Sequence, residues 1–215
     1  MKKVVLQLVL LVFVFPIGYS QDVVPEKKTS KEFYLTGGKT FTSFDFIDGS
    51  QNIDSSLGFT SGQSFGVGMV FNLNKRHQIR PEINFGEMGA NSKFNDSRVT
   101  WRLNYLGLHT SYLFRVFDKK RVSISPGVVF GIDYLVSGEQ TIGDLRLDVK
   151  KEDSFEPIDV NLGLVLNTKV KVTDSFFLFL DYRGQWGVLQ IENKDLNETT
   201  KNIGHRIMVG VSFKL

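Results

Sequence analysis

The sequence predicts an all-β fold, an eight-stranded antiparallel up-and-down transmembrane β-barrel, on three observations. Apolar residues recur with a period of two over stretches of about 10 residues. The links between these stretches alternate between short and long. Beyond residue 20 no apolar run is long enough for a membrane-spanning helix.

The alternation is clearest in Val122 to Tyr134. Val122, Ile124, Pro126, Val128, Phe130, Ile132 and Tyr134 share one face, and Ser123, Ser125, Gly127, Gly131 and Asp133 share the other. Phe65, Val67, Met69, Phe71 and Leu73 repeat it opposite Ser64, Gly66, Gly68 and Asn72. Ile158, Val160, Leu162, Leu164 and Leu166 do so opposite Asp159, Asn161, Gly163 and Asn167. The last stretch aligns Ile203, Ile207, Val209, Val211, Phe213 and Leu215 opposite Arg206, Met208, Gly210, Ser212 and Lys214. Weaker alternation covers 33–44, 78–88, 104–117 and 175–188, which brings the number of strands to eight.

Residues 45–62, 89–101, 136–156 and 189–201 form long polar links, and those at 74–77, 118–121 and 172–175 are short. A barrel with both termini in the periplasm has long loops outside and short turns inside, in this order. Within 136–156, the alternation of Asp144 to Lys150 suggests a hairpin rising above the membrane.

A soluble ligand-binding barrel is the rival fold, with its apolar face turned inward. Residue size separates the two. Gly66, Gly68, Gly127, Gly131, Gly163 and Gly210 all lie on the polar face, and the bulky residues lie on the apolar face. Small residues suit a narrow lumen and large ones suit lipid. Trp101, Tyr134, Phe176 and Trp186, near strand ends, are candidates for interfacial girdles.

The N-terminus reads as a secretory signal peptide. Lys2 and Lys3 precede a hydrophobic run from Val4 to Phe15, and Gly18 and Ser20 supply the small residues of a cleavage site before Gln21. The run falls short of the roughly 20 residues of a spanning anchor. This organisation gives a signal peptide at 1–20, a periplasmic segment at 21–31 and a barrel at 32–215, exported to a bacterial outer membrane. Removing Lys2 and Lys3 takes 26 basic residues to 24 against 23 acidic, a net charge of +1. That balance excludes nucleic acid as a partner. Without cysteine the chain has neither disulfides nor a site for lipid attachment through sulfur.

Four segments carry a family likeness: Pro81-Glu82-Ile83-Asn84-Phe85 with Gly89-Ala90, Leu103-Asn104-Tyr105-Leu106, Ser125-Pro126-Gly127-Val128-Val129-Phe130-Gly131, and Val209-Gly210-Val211-Ser212-Phe213-Lys214-Leu215. In this order they resemble the porin-family or PorT-like small outer-membrane β-barrel proteins. The resemblance implies a barrel and does not imply a pore. The chain departs from the pattern at Gly107 and His109, where the family has an acidic residue and a proline. It also has Asp181 before Tyr182 in place of arginine, and it ends in Leu215 where the family commonly ends in Phe.

Signals for catalysis are sparse. By parity His77 lies in a periplasmic turn, His205 faces lipid near the outer rim, and His109 points inward beside Ser111, a pairing that also suits a polar lumen. No metal-ligand spacing, phosphate loop or other cofactor motif occurs. The same parity turns Arg80, Glu82, Arg115, Asp133, Asp159, Lys169, Asp181, Arg183, Arg206 and Lys214 inward. Charges in so narrow a tube must pair, so an ion-pair network filling the lumen is expected. Candidate partners for Arg183 are Glu82, Asp159 and Asp181. Lys39 shares its parity with Phe33, Leu35 and Phe41, so either Gly37-Gly38 shifts the register or the lysine snorkels from lipid.

The expected function is non-enzymatic: a structural, surface-binding or assembly component in contact with outer-membrane lipid, with its long loops open to an envelope or extracellular protein. The alternatives are an enzyme acting on lipid or peptide, with Asp133, Asp159, His205 and Arg206 at the outer rim, and a narrow channel. The mature chain is expected to begin at Gln21. N-terminal sequencing of protein purified from envelopes checks this, and retention of Met1 would refute it.

Overall fold

The computed structural model describes residues 30–47, 57–94, 97–192 and 199–215. The signal-peptide reading and residues 21–29 lie outside them. Ten strands follow in order: β1 (Lys31–Ile47), β2 (Gly58–Asn72), β3 (His77–Phe94), β4 (Ser97–Phe114), β5 (Phe117–Lys119), β6 (Val122–Ile142), β7 (Leu145–Asp148), β8 (Ile158–Lys171), β9 (Phe176–Gly187) and β10 (Thr199–Lys214). Every pairing is antiparallel. Eight strands form a ring in the order β1-β2-β3-β4-β6-β8-β9-β10, closed where β1 meets β10. The short β5 and β7 pair with the inner and outer ends of β6.

The register sets the dimensions. From Phe41, partners run through His205, Gly184, Leu164, Val128, Tyr112, Ile79 and Phe71, and return to β1 at Lys31. The ring therefore closes with a stagger of ten residues. With ordinary strand spacing and rise, eight strands at this stagger tilt by about 40° around a backbone cylinder of about 8 Å radius. Such an interior is filled by side chains.

The two faces of the wall are inverted relative to a soluble protein. Outward-facing Leu108, Leu164 and Val209 are 66%, 59% and 64% exposed, while inward-facing Arg183 and Asp181 are 1% and 0% exposed. Polar groups inside and bare apolar groups outside suit lipid and exclude the soluble rival. The inward glycines make room for large neighbours. A Cβ on Gly107 would lie 1.8 Å from Asp133 Oδ1, and one on Gly68 would lie 2.7 Å from the Tyr34 hydroxyl.

Strand extents differ from the sequence expectation. About 10 residues suffice to cross the apolar band, yet β3 and β4 have 18 residues each and β6 has 21. Much of 89–101, expected as a loop, is the β3–β4 hairpin. Above the membrane both faces of a strand meet water, so period-two hydropathy disappears while backbone pairing continues. The expected hairpin at 144–150 is present. Leu145–Asp148 pairs with Glu139–Ile142 around Gly143, whose φ of 57° suits glycine.

Tyr134 and Trp186 face outward at the outer rim, and the Phe176 ring packs tilted against that of Phe213 at the inner one. Trp101 does not belong to a girdle. Its ring is partly buried and meets Phe44 edge-on beneath the outer loops.

Lys39 keeps its register with both neighbours, opposite Ile207 and Gln63, so Gly37-Gly38 introduces no shift. The side chain is exposed on the outer wall, six residues beyond Phe33. At this tilt that is about 15 Å above Phe33, in the outer half of an apolar band about 25 Å tall. Lys39→Leu is therefore expected to stabilise the barrel by about 1–2 kcal/mol in urea unfolding from lipid vesicles. A loss of stability would show that the wall holds the ammonium by contacts beyond those described.

Candidate functional site

The lumen is packed with side chains in four tiers. At the inner end Glu32 accepts hydrogen bonds from Lys169 Nζ at 2.7 Å, Ser212 Oγ at 2.8 Å and Asn72 Nδ2 at 3.3 Å. These groups come from four strands, and Lys169 and Glu32 are almost fully buried.

The second tier rests on two i, i+2 pairs. β3 presents Arg80 and then Glu82 going outward, and β9, across the ring, presents Asp181 and then Arg183. Because the charge order is reversed, the pairs match across the lumen. Arg80 donates to Asp181 through both terminal nitrogens at 3.2 and 2.9 Å, and Arg183 grips Glu82 at 2.9 and 2.9 Å. Arg183 also donates to Asp181 at 3.2 Å, joining the two forks. Tyr34 donates to Glu82 at 2.9 Å and Asn167 to Asp181 at 2.6 Å. The Arg80 guanidinium lies 4.6 Å from the Tyr34 ring centroid and 5.0 Å from that of Phe179. Bidentate geometry with further donors on the carboxylates is what makes buried charges tolerable.

The third tier is mixed. His109 Nε2 donates to Asp133 Oδ1 at 2.9 Å, and Asn161 donates to the other oxygen of Asp133. Gln185 donates to Asn161, Arg206 to Asn84, and Asn202 to Asp159. Asp159 Oδ1, Gln185 Oε1, Asn202 Oδ1 and Arg206 Nη2 are buried with no protein partner among the described residues. These residues line a void of about 20 Å³, the size of one water molecule.

An apolar cap forms the fourth tier. Phe44, Met88, Leu103, Tyr105 and Leu135 from the walls meet Val149, Phe155 and Ile191 from the outer loops. The two loops are tied together, since Glu156 N donates to Ile191 O at 2.7 Å and Phe155 bridges Glu192.

Of the ten charges assigned to the lumen, Arg80, Glu82, Asp133, Asp159, Lys169, Asp181, Arg183 and Arg206 are buried there. Arg115 and Lys214 lie outside the packed interior. Arg115 sits past the end of β4 and pairs with Asp118, and the Lys214 side chain is exposed. Both have inward parity but stand where the strands emerge into water. Arg183 uses Glu82 and Asp181, and Asp159 is engaged elsewhere.

Parity turned Asn161 and Asn167 to the polar face, where both join the network, but it did not single out Glu32, just before the expected start of β1, or the uncharged Tyr34, Asn84 and Asn202. His109 is bound to Asp133, with no bond to Ser111. His205 lies on the outer wall, stacked with Tyr182, whose hydroxyl is 2.8 Å from Nδ1. It is thus on the opposite face from Asp133, Asp159 and Arg206, and the four form no common cluster. No group of three metal-ligating side chains occurs among the described residues.

A closed eight-strand ring with an apolar exterior and a packed polar lumen defines a transmembrane β-barrel. Residues 20–191 match the outer membrane protein beta-barrel domain family, and the chain belongs to that family. This places it in the bacterial outer membrane. Among solved structures it is similar to Neisserial surface protein A, with 12% identity and a TM-score of 0.50 over 85% of this chain and 97% of that one. It is also similar to a major outer membrane protein of Thermus thermophilus, with 10% identity and a TM-score of 0.51 over 86% and 99%. These likenesses extend to the fold alone. No curated protein matches the sequence significantly.

Arg183→Leu is expected to destabilise the barrel by about 3–5 kcal/mol in urea unfolding from vesicles, because it strands Glu82 in the lumen. Arg183→Leu combined with Glu82→Leu is expected to recover part of that loss. A single variant as stable as the parent would refute the pairing.

Proposed function

We propose that this protein is a non-enzymatic, PorT-like outer-membrane barrel exported with a cleavable signal peptide, serving as a structural or surface-binding element and not as a conduit. The observation that carries this reading is the consecutive filling of the lumen. Beneath the cap, the β3–β9 ion pairs cross the full width of the ring, and their four charges are already mutually satisfied. A permeating ion would have to break bidentate pairs in a site with little water.

Binding specificity then belongs to the outer hairpins, where a rigid scaffold presents polar side chains. The β3–β4 hairpin and the β6–β7 sheet carry exposed Arg98, Arg102, Arg146 and Lys151 above the membrane. The partner in this reading is an envelope or extracellular protein, with outer-membrane lipid around the wall. Purified protein in planar bilayers is expected to give no stable conductance steps. Reproducible single-channel openings would overturn the reading in favour of a narrow channel.

A further inference from the structure

The inner end of the barrel differs from the outer one. Where the outer end is capped, the inner end opens as a funnel of about 350 Å³, floored by the Glu32–Lys169 pair. Seven of its sixteen lining residues are Lys or Arg, and only Glu32 and Asp118 are acidic. Three of the cations are spoken for: Lys169 by Glu32, Arg115 by Asp118, and Lys171 by Asp174. Lys75, Lys120, Arg121 and Lys214 form no ion pair among the described residues.

These four cations come from separate parts of the rim. Lys75 lies in the β2–β3 turn, Lys120 and Arg121 in the β5–β6 turn, and Lys214 at the end of β10. Lys120 has a φ of 45°, a left-handed conformation better suited to glycine or asparagine. The turn thus holds a lysine where an uncharged residue would be less strained. Arg115, in the funnel wall, has a buried Nε with no partner. A concave site lined by one sign of charge concentrates the field at its mouth.

We infer that this inner funnel is an anion site for phosphate groups. Lysine ammonium groups converging from different sides act as point charges around a compact multivalent oxyanion. Of the two guanidinium forks in the funnel, that of Arg115 is already engaged by Asp118 and the Lys75 carbonyl. This leaves Arg121 as a single fork among three lysines, a set better matched to a compact multivalent oxyanion than to a flat carboxylate. The volume admits a phosphate or pyrophosphate and excludes a folded acidic domain. The phosphate can be a free periplasmic species or the headgroup of an inner-leaflet phospholipid at the rim.

The test uses the refolded chain, with folding checked by the gel shift on boiling. Calorimetry measures inorganic pyrophosphate binding to protein in phosphatidylcholine vesicles at low salt. In parallel, urea unfolding compares phosphatidylcholine vesicles with vesicles that also contain phosphatidylglycerol. Saturable pyrophosphate binding that falls tenfold or more in Lys120→Gln/Lys214→Gln supports the site with a free ligand. A gain in stability with phosphatidylglycerol that this variant loses supports it with a lipid headgroup. Arg146→Gln/Lys151→Gln, at the outer end, is expected to match the parent in both arms. No response in either arm, a response unchanged by the inner variant, or binding of a polyglutamate peptide without pyrophosphate overturns the inference.

Discussion

Closure of the ring with a ten-residue stagger is the constraint on which the other features rest. It joins the eight ring strands edge to edge, and it fixes which residues of distant strands share a height in the lumen. Only at this stagger do Arg80 and Glu82 of β3 face Asp181 and Arg183 of β9 across the tube. The dependence also runs the other way. A slip of one residue in β9 would turn Asp181 and Arg183 to lipid and leave Arg80 and Glu82 unpaired in a space with little water. The ion pairs therefore select one register over its neighbours, whatever their net contribution to stability. The inward glycines complete the arrangement, since the long side chains of facing strands occupy the space that a Cβ would fill.

The parity of the strands was legible in the sequence because lipid and lumen impose opposite chemistry on alternate residues. The same reasoning gave the inward direction of eight of the buried charges and the outward direction of His205. It failed where that contrast ends. Beyond the outer interface water meets both faces, so β3, β4 and β6 continue through residues that look like loop. At Trp101 the aromatic signal was real, but the ring serves the cap. Arg115 and Lys214 show the matching effect at the inner end, where inward parity no longer means burial.

Pairing was less legible than direction. Parity placed Glu82, Asp159 and Asp181 as equal candidates for Arg183, because one sequence contains no measure of distance around a ring. A signal was nevertheless present. The arrangement Arg-x-Glu on one strand and Asp-x-Arg on another has reversed charge order, as two strands running in the same direction on opposite sides of a barrel require. Strands three and seven of an eight-strand meander are such a pair. His109, which parity turned inward as the structure has it, shows the same limit. Its neighbour Ser111 is close along the strand, but its partner Asp133 comes from the adjoining strand, where cross-strand proximity is greater than proximity within a strand.

The ends of the barrel are energetically more independent of one another than the length of the strands suggests. Between the outer cap and the inner funnel lie two tiers of buried polar groups, whose hydrogen-bond partners come from the walls. Substitutions in the outer loops can alter Arg98, Arg146 or Lys151 without disturbing Glu82 or Asp181, and changes in the inner turns leave the cap intact. A fold divided in this way can keep its plug constant while each mouth takes on a separate binding chemistry. The two mouths are already chemically unlike: the outer one is sealed with apolar side chains beneath exposed polar hairpins, and the inner one is open and rimmed with four cations that form no ion pair among the described residues. Recognition in such a molecule belongs to its ends, and the lumen between them serves to hold both in one fixed frame.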